Sequence, residues 1–158
     1  GEPLYSFGDP MEPPDKWNEY REMPNAQVPS QLFFTANGNL CFIDIYKYSI
    51  YVYSRGKLAK KIDGESPHFI PVSIMKGKRA NSFHFLIPLT SILEHGRYMI
   101  VALNDKDDWY WDIFRDGKLI DSMHINETPL MIDGKGNLYT RAVVNDLASI
   151  KRYRMTWN

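Results

Sequence analysis

Ile50-Tyr51-Val52-Tyr53-Ser54-Arg55-Gly56-Lys57-Leu58 has a counterpart later in the chain, Trp111-Asp112-Ile113-Phe114-Arg115-Asp116-Gly117-Lys118-Leu119. Each reads as an apolar or alternating strand, a glycine turn and the start of a returning strand. The shared Gly-Lys-Leu is the clearest point of match. A chain that writes the same hairpin twice calls for a search for a repeated unit.

Working outward, Leu32 to Leu40 with its Asn37-Gly38 turn matches Pro129 to Tyr139 with its Gly134 to Asn137 turn, and more loosely Ile92 to Tyr98 around His95-Gly96. Ile150-Lys151-Arg152-Tyr153 aligns with Ile50 to Tyr53 and then stops near the terminus. The unit is four short antiparallel strands, present in three copies at about 31–62, 82–125 and 129–158, the last without its fourth strand. The predicted strands are 4–7, 31–35, 40–45, 49–54, 58–62, 68–74, 82–87, 91–94, 98–103, 109–115, 119–125, 130–132, 138–143 and 149–156. Very little helix is expected. The segment 9–30, interrupted by Pro10, Pro13, Pro14, Pro24 and Pro29, reads as a surface excursion.

A four-stranded antiparallel unit recurring at spacings of about 40 to 60 residues is the sequence pattern of β-propeller blades. A blade buries its faces by stacking on its neighbours, which accounts for aromatic and branched residues on both sides of the inner strands. The fold class is therefore all-β, of propeller type, with about three blades forming a partial or half propeller in a single domain over 1–158. The strand at 4–7 either completes the third blade by ring closure or is the tail of another blade.

Composition agrees with this reading and narrows the function. The 158 residues carry 19 Lys and Arg against 19 Asp and Glu, a formal charge of zero, which argues against a nucleic-acid binder. Twenty-two aromatic residues (10 Tyr, 8 Phe, 4 Trp) favour strands. Cys41 lies in an apolar run and reads as a buried small hydrophobe. No stretch approaches the length of a membrane-spanning helix.

The runs Gly38 to Asp44, Ile50 to Leu58, Trp111 to Leu119 and Gly136 to Tyr139 resemble six-bladed β-propellers of the NHL and TolB-like kind, especially those of secreted or lipid-anchored proteins of Bacteroides-like bacteria. The resemblance covers about residues 31 to 158 and rests on positions that shape blades. It implies a fold and an extracytoplasmic setting, not an activity. Three blades do not close a six-bladed ring, so the chain is a half-ring that pairs as a homodimer, a fragment, or a small propeller.

The candidate contact residues are Asp105, Asp107, Asp108, Trp109 and Tyr46. Asn104 to Asp108 offers several oxygens before an aromatic strand, acceptable for a cation such as calcium but without EF-hand spacing, so a solvated hairpin loop is the plainer reading and no cofactor is expected. Alternation sends Trp109 and Trp111 to one face and Tyr110 to the other, where they pack between blades or offer a platform to a sugar or peptide. Tyr46 stands at a turn between strands. His68, His84, His95 and His124 have no metal-ligand spacing. The basic run Lys76, Lys78 and Arg79 reads as a solvated loop. There is no nucleophile elbow, phosphate loop or dinucleotide fingerprint. The expected role is a binding module for a protein or carbohydrate partner. The competing reading is a propeller-type lyase or hydrolase in which His68, His84 or His124 works with a nearby carboxylate.

Overall fold

In a computed structural model the chain is described over residues 32–44, 46–71, 73–76, 83–86, 89–105 and 108–156, with the backbone alone for 73–76, 83–86, 89–90 and 105. Thirteen strands follow one another among these residues: β1 (Leu32–Phe34), β2 (Leu40–Asp44), β3 (Ser49–Ser54), β4 (Lys57–Asp63), β5 (Ser73–Lys76), β6 (Phe83–Leu86), β7 (Leu89–His95), β8 (Tyr98–Asp105), β9 (Asp108–Arg115), β10 (Lys118–His124), β11 (Thr128–Ile132), β12 (Asn137–Val144) and β13 (Leu147–Arg154). They form antiparallel sheets of neighbouring strands, β1 to β4, β7 to β10 and β11 to β13, with β5 and β6 as a separate pair. The protein is all-β, an open arc of three propeller-type sheets. The expected strand 4–7, the excursion 9–30, and Lys78 and Arg79 lie outside the described residues.

Turn chemistry explains the repetition. Arg55-Gly56 and Asp116-Gly117 both have two successive positive φ angles, the two-residue hairpin turn that suits the right-handed twist of its strands. One residue past each turn's Lys-Leu, the ladder slips by one position, between Leu58 and Lys60 opposite Tyr53 and Val52 and between Leu119 and Asp121 opposite Phe114 and Ile113. The first turns of the first and third sheets also share their bonding. Thr35 N–H donates to Asn39 O and Gly38 N–H to Thr35 O, both at 2.9 Å; Asp133 N–H and Gly136 N–H make the same two bonds to Asn137 O and Asp133 O. The 35–39 and 133–137 alignment is thus a structural equivalence.

The Asp133 turn is the more strongly fixed. Its carboxylate accepts from the Asn137 side chain, the Asn137 and Lys135 backbone N–H groups and the Tyr139 hydroxyl, at 2.9 to 3.3 Å. Those donors, Asn137 foremost, hold the carboxyl down at about 2 against an ordinary 3.8. Because the folded value is depressed, the stability this turn contributes is complete above about pH 4 and disappears as pH falls through about 2. Denaturant midpoints at pH 5 and at pH 2 will therefore differ more for the natural chain than for Asp133→Asn; equal differences would show that the turn is not anchored by the carboxylate.

Two segments depart from the sequence expectation. The strand expected at 68–74 is a turn at 67–68 and irregular chain to 71, and regular pairing starts at Ser73. Pro67 and Pro71 have no amide hydrogen to give a ladder. The run 82–87 does not open the second unit: β6 pairs with β5, and the second sheet starts at Leu89, beyond Pro88.

The sheets stack. Ile43, Ile50, Val52 and Ile62 of the first sheet meet Ile92, Val101, Leu103 and Phe114 of the second. On the other side of the second sheet, Ile100, Ala102 and Trp111 meet Ile132 and Leu138 of the third. Hence Ile100-Val101-Ala102-Leu103 is wholly buried without alternation, each neighbour claiming every second side chain. Cys41 is buried in the first of these interfaces, and burial, helped by Glu94, pushes its thiol up to about 12.

Candidate functional site

Strand β9 pairs with β8 without a register shift from Tyr98↔Arg115 to Asp105↔Asp108. Alternation is therefore unbroken, and Asp108, Tyr110, Asp112 and Phe114 face the first sheet while Trp109, Trp111 and Ile113 face the third. Trp111 is buried, and its Nε1–H donates to Glu127 O at 2.9 Å. Glu127 itself accepts from Thr140 Oγ1 and Lys151 Nζ, both at 2.6 Å, and from Tyr153 OH. Burial alone would raise the Glu127 carboxyl, but these donors, Lys151 first, outweigh it and hold it below its ordinary value.

On the other face, the rim of the joint between the first and second sheets is crossed by residues 64–69. Gly64 N–H donates to Tyr48 O, and a Cβ at Gly64 would stand 3.2 to 3.3 Å from the Tyr48 and Phe114 rings. The Phe69 ring stacks on Tyr48 with centroids 4.6 Å apart. Tyr48 has φ +54°, an uncommon setting for a bulky residue, and its ring is held by packing on Phe69 and Phe114. Below them Asp112 is fully buried and accepts from Tyr48 OH and Ser122 Oγ, each at 2.5 Å. Burial, with Asp112 beside it, pushes the Tyr48 phenol far above its ordinary value.

The crossing segment delivers His68 to Tyr110. Their rings stack with centroids 3.7 Å apart and planes within 8°. His124, at the end of β10, lies against the same tyrosine at 5.2 Å and places Nε2 3.1 Å from Asp108 Oδ1. The His124 and Asp108 side chains are about half exposed, 52% and 56%. A pair that open to water adds little to stability, whatever the protonation of the histidine. Two imidazoles, a phenol and a carboxylate thus meet at one place, where the His124–Asp108 pair is open to solvent and the stacked His68 and Tyr110 rings are half-buried.

No protein-family model, curated protein or solved structure matches the chain.

The five contact residues expected from sequence divide. Asp108 is in the cluster. Trp109 is half-buried and turned to the opposite face of the sheet, its carbonyl accepting from Ile125 N–H at 2.8 Å. Tyr46 is half-buried in the β2–β3 turn, on the rim that Tyr48 and Phe69 occupy, and its N–H donates to Asp44 Oδ1 at 2.9 Å; burial, then Asp44, raises its phenol. Asp105 is described by its backbone, opposite Asp108 at the hairpin end, and Asp107 lies outside the described residues. Among the described residues no three His, Cys, Asp or Glu side chains converge as a metal ion requires. Of the four histidines, scattered in sequence, His68 and His124 reach one ring, His95 sits at the β7–β8 turn, and His84 is described by its backbone in β6.

Two further concavities lie along the joints. One of about 180 Å³ is lined by Lys60, Glu94, Arg97 and Asp116, and its Arg97–Asp116 ion pair is bidentate and exposed. The other, about 220 Å³, lies where the first strands of the three sheets come together, lined by Phe34, Leu93, Glu94, Leu130 and Met131. No helix among the described residues is long and apolar enough to cross a membrane.

Proposed function

We propose that the chain is a binding module of β-propeller type, of the NHL and TolB-like kind its blade residues resemble, working outside the cytoplasm. Its ligand is a carbohydrate or a protein segment received at the rim between the first and second sheets. The observation that carries this reading is the Tyr110 ring with His68 stacked on it and the His124–Asp108 pair at its edge. Flat ring faces take the apolar side of a sugar ring or a peptide side chain, and the half-exposed pair supplies a donor and an acceptor for its hydroxyl or amide groups.

The test is a panel of oligosaccharides and peptides screened by ligand-observed NMR, repeated on Tyr110→Ala and His124→Ala. A bound member of the panel is expected to lose at least about tenfold in affinity in either variant, the scale of losing about 1.4 kcal/mol of contact. Binding unchanged in both variants would move the site elsewhere.

One feature favours a second reading. A histidine within hydrogen-bonding reach of a carboxylate, open to solvent, is an acid–base pair, as a propeller-type lyase or hydrolase would use. In that case the bound compound is consumed and Asp108→Asn stops its turnover. For a binding module, the compound is recovered unchanged.

A further inference from the structure

Strands from all three sheets wall the concavity of about 220 Å³: Phe34 of β1, Leu93 and Glu94 of β7, Leu130 and Met131 of β11. Phe34, Leu130 and Met131 are 79%, 44% and 51% exposed. Single exposed apolar residues are ordinary, but several grouped around one hollow mark a contact surface. Glu94 is the one charged residue among the described residues that line it. Its Oε2 accepts from Asn39 Nδ2 at 3.2 Å and Asn37 Nδ2 at 3.5 Å, both from the first sheet. Neutral amides orient the carboxylate without cancelling its charge. The register sets this place apart from the Tyr110 cluster. Glu94 stands opposite Met99 near the start of β8, and Tyr110 opposite Leu103 near its end.

No cation of the chain's own answers Glu94. It also lines the concavity of about 180 Å³, but there Arg97 is held by Asp116, and Lys60 Nζ lies 3.0 Å from where a Cβ on Gly117 would stand. The ion pairs among the described residues are Lys61–Asp63, Arg97–Asp116, His124–Asp108 and Lys151–Glu127, and none includes Glu94.

We infer that the hollow receives a lysine side chain presented by a partner protein, its stem against Leu93, Leu130 and Met131 and its ammonium donating to Glu94. The volume, about 220 Å³, is below the roughly 300 Å³ at which pockets for whole small molecules begin, so it suits one side chain. A stem laid along apolar surface with a charged head at its tip is the ordinary behaviour of lysine. Arginine instead favours bonding both oxygens of a carboxylate through parallel N–H groups, and the asparagines already occupy Oε2. A free amine would fill the hollow yet leave the Phe34 ring in water, whereas residues flanking a protein's lysine cover it. The inference does not rest on the Tyr110 site.

Methyl NMR on the full chain, with the Met and Leu methyl groups labelled, tests this with acetyl-Leu-Lys-Leu-amide as the probe. The Met131 and Leu130 signals are expected to shift saturably. Replacing the probe's lysine by norleucine, which keeps a stem and lacks the ammonium, is expected to weaken binding at least about tenfold, the scale of one hydrogen bond to a charged group. Glu94→Gln, whose side-chain carbonyl still accepts from Asn39, is expected to lose as much. Leu130→Ser, at an exposed position that the fold does not need, is expected to weaken binding several-fold with the Glu94 charge intact. The inference is overturned by a lysine probe that leaves Met131 unshifted, or by a norleucine probe that binds equally. Undiminished binding in Glu94→Gln or Leu130→Ser overturns it too. So does an arginine probe that binds as tightly as the lysine one, or n-pentylammonium alone matching the peptide, which would make the ligand a free amine.

Discussion

Replacing Tyr48 with alanine is expected to lower stability by about 3–5 kcal/mol, the range for removing a large ring from a packed core. The ring is packed on Phe69 and Phe114 and its hydroxyl donates to the buried Asp112, so the substitution empties the centre of the first joint and strips a carboxylate of a donor. Tyr48→Phe separates these effects. It keeps the packing and leaves one Asp112 oxygen without its bond, a loss of about 1–3 kcal/mol. Ser122→Ala removes the donor on the other oxygen, and the double substitution is expected to depart from additivity because both donors serve one group. Urea denaturation of the natural chain and the four variants measures all of this. A Tyr48→Ala chain within about 1 kcal/mol of the natural one would mean that the first and second sheets are not held together at this point.

The second large effect belongs to Trp111. Its alanine variant is expected to cost about 3–5 kcal/mol and also to change the form of the transition. The third sheet is an end sheet, held on one side by Ile132 and Leu138 against Ile100, Ala102 and Trp111. In stacked repeats stability is the sum of each unit and its contacts with neighbours, so weakening the contact of an end unit lets that unit open by itself. Native-state hydrogen exchange is expected to show the amides of β12 opening well before those of β8 in Trp111→Ala. Trp111→Phe, which keeps a ring but loses the bond to Glu127 O, should lie between. Uniform exchange across both strands would mean that the arc opens as one body.

Much of the architecture was legible because it is local. The strand expected at 49–54 is Ser49–Ser54, and the turns at Asn37-Gly38, Asp116-Gly117 and Gly134 to Asn137 fall where residues tolerant of positive φ stand. Where apolar residues and prolines mix, at 68–74, the apolar content mimicked a strand and the missing amide hydrogens decided otherwise. Alternation correctly separated Tyr110 from Trp109 and Trp111, but no local pattern could say what would approach Tyr110. His68 reaches it from the far side of a joint between sheets, and periodicity along one strand contains no information about that. The same limit hid Asp112, which reads as a polar residue on a strand until Tyr48, from another sheet, is seen above it. Asp108 was singled out for its loop, and its partner His124 follows from the β9–β10 register, in which it stands opposite Tyr110.

The burial of Ile100-Val101-Ala102-Leu103 on both sides has a consequence for the proposed binding role. A sheet covered front and back has no broad surface left to display, so recognition by the middle sheet is confined to the ends of its strands and the turns that join them. The described turns at 95–97 and 116–117 are tied by the Asp116 N–H bond to Arg97 O, and the Gly96 and Asp116 tips are exposed. Exchange of residues there can redirect binding while the interior stays as it is, which leaves affinity and durability open to separate adjustment, in nature or by engineering.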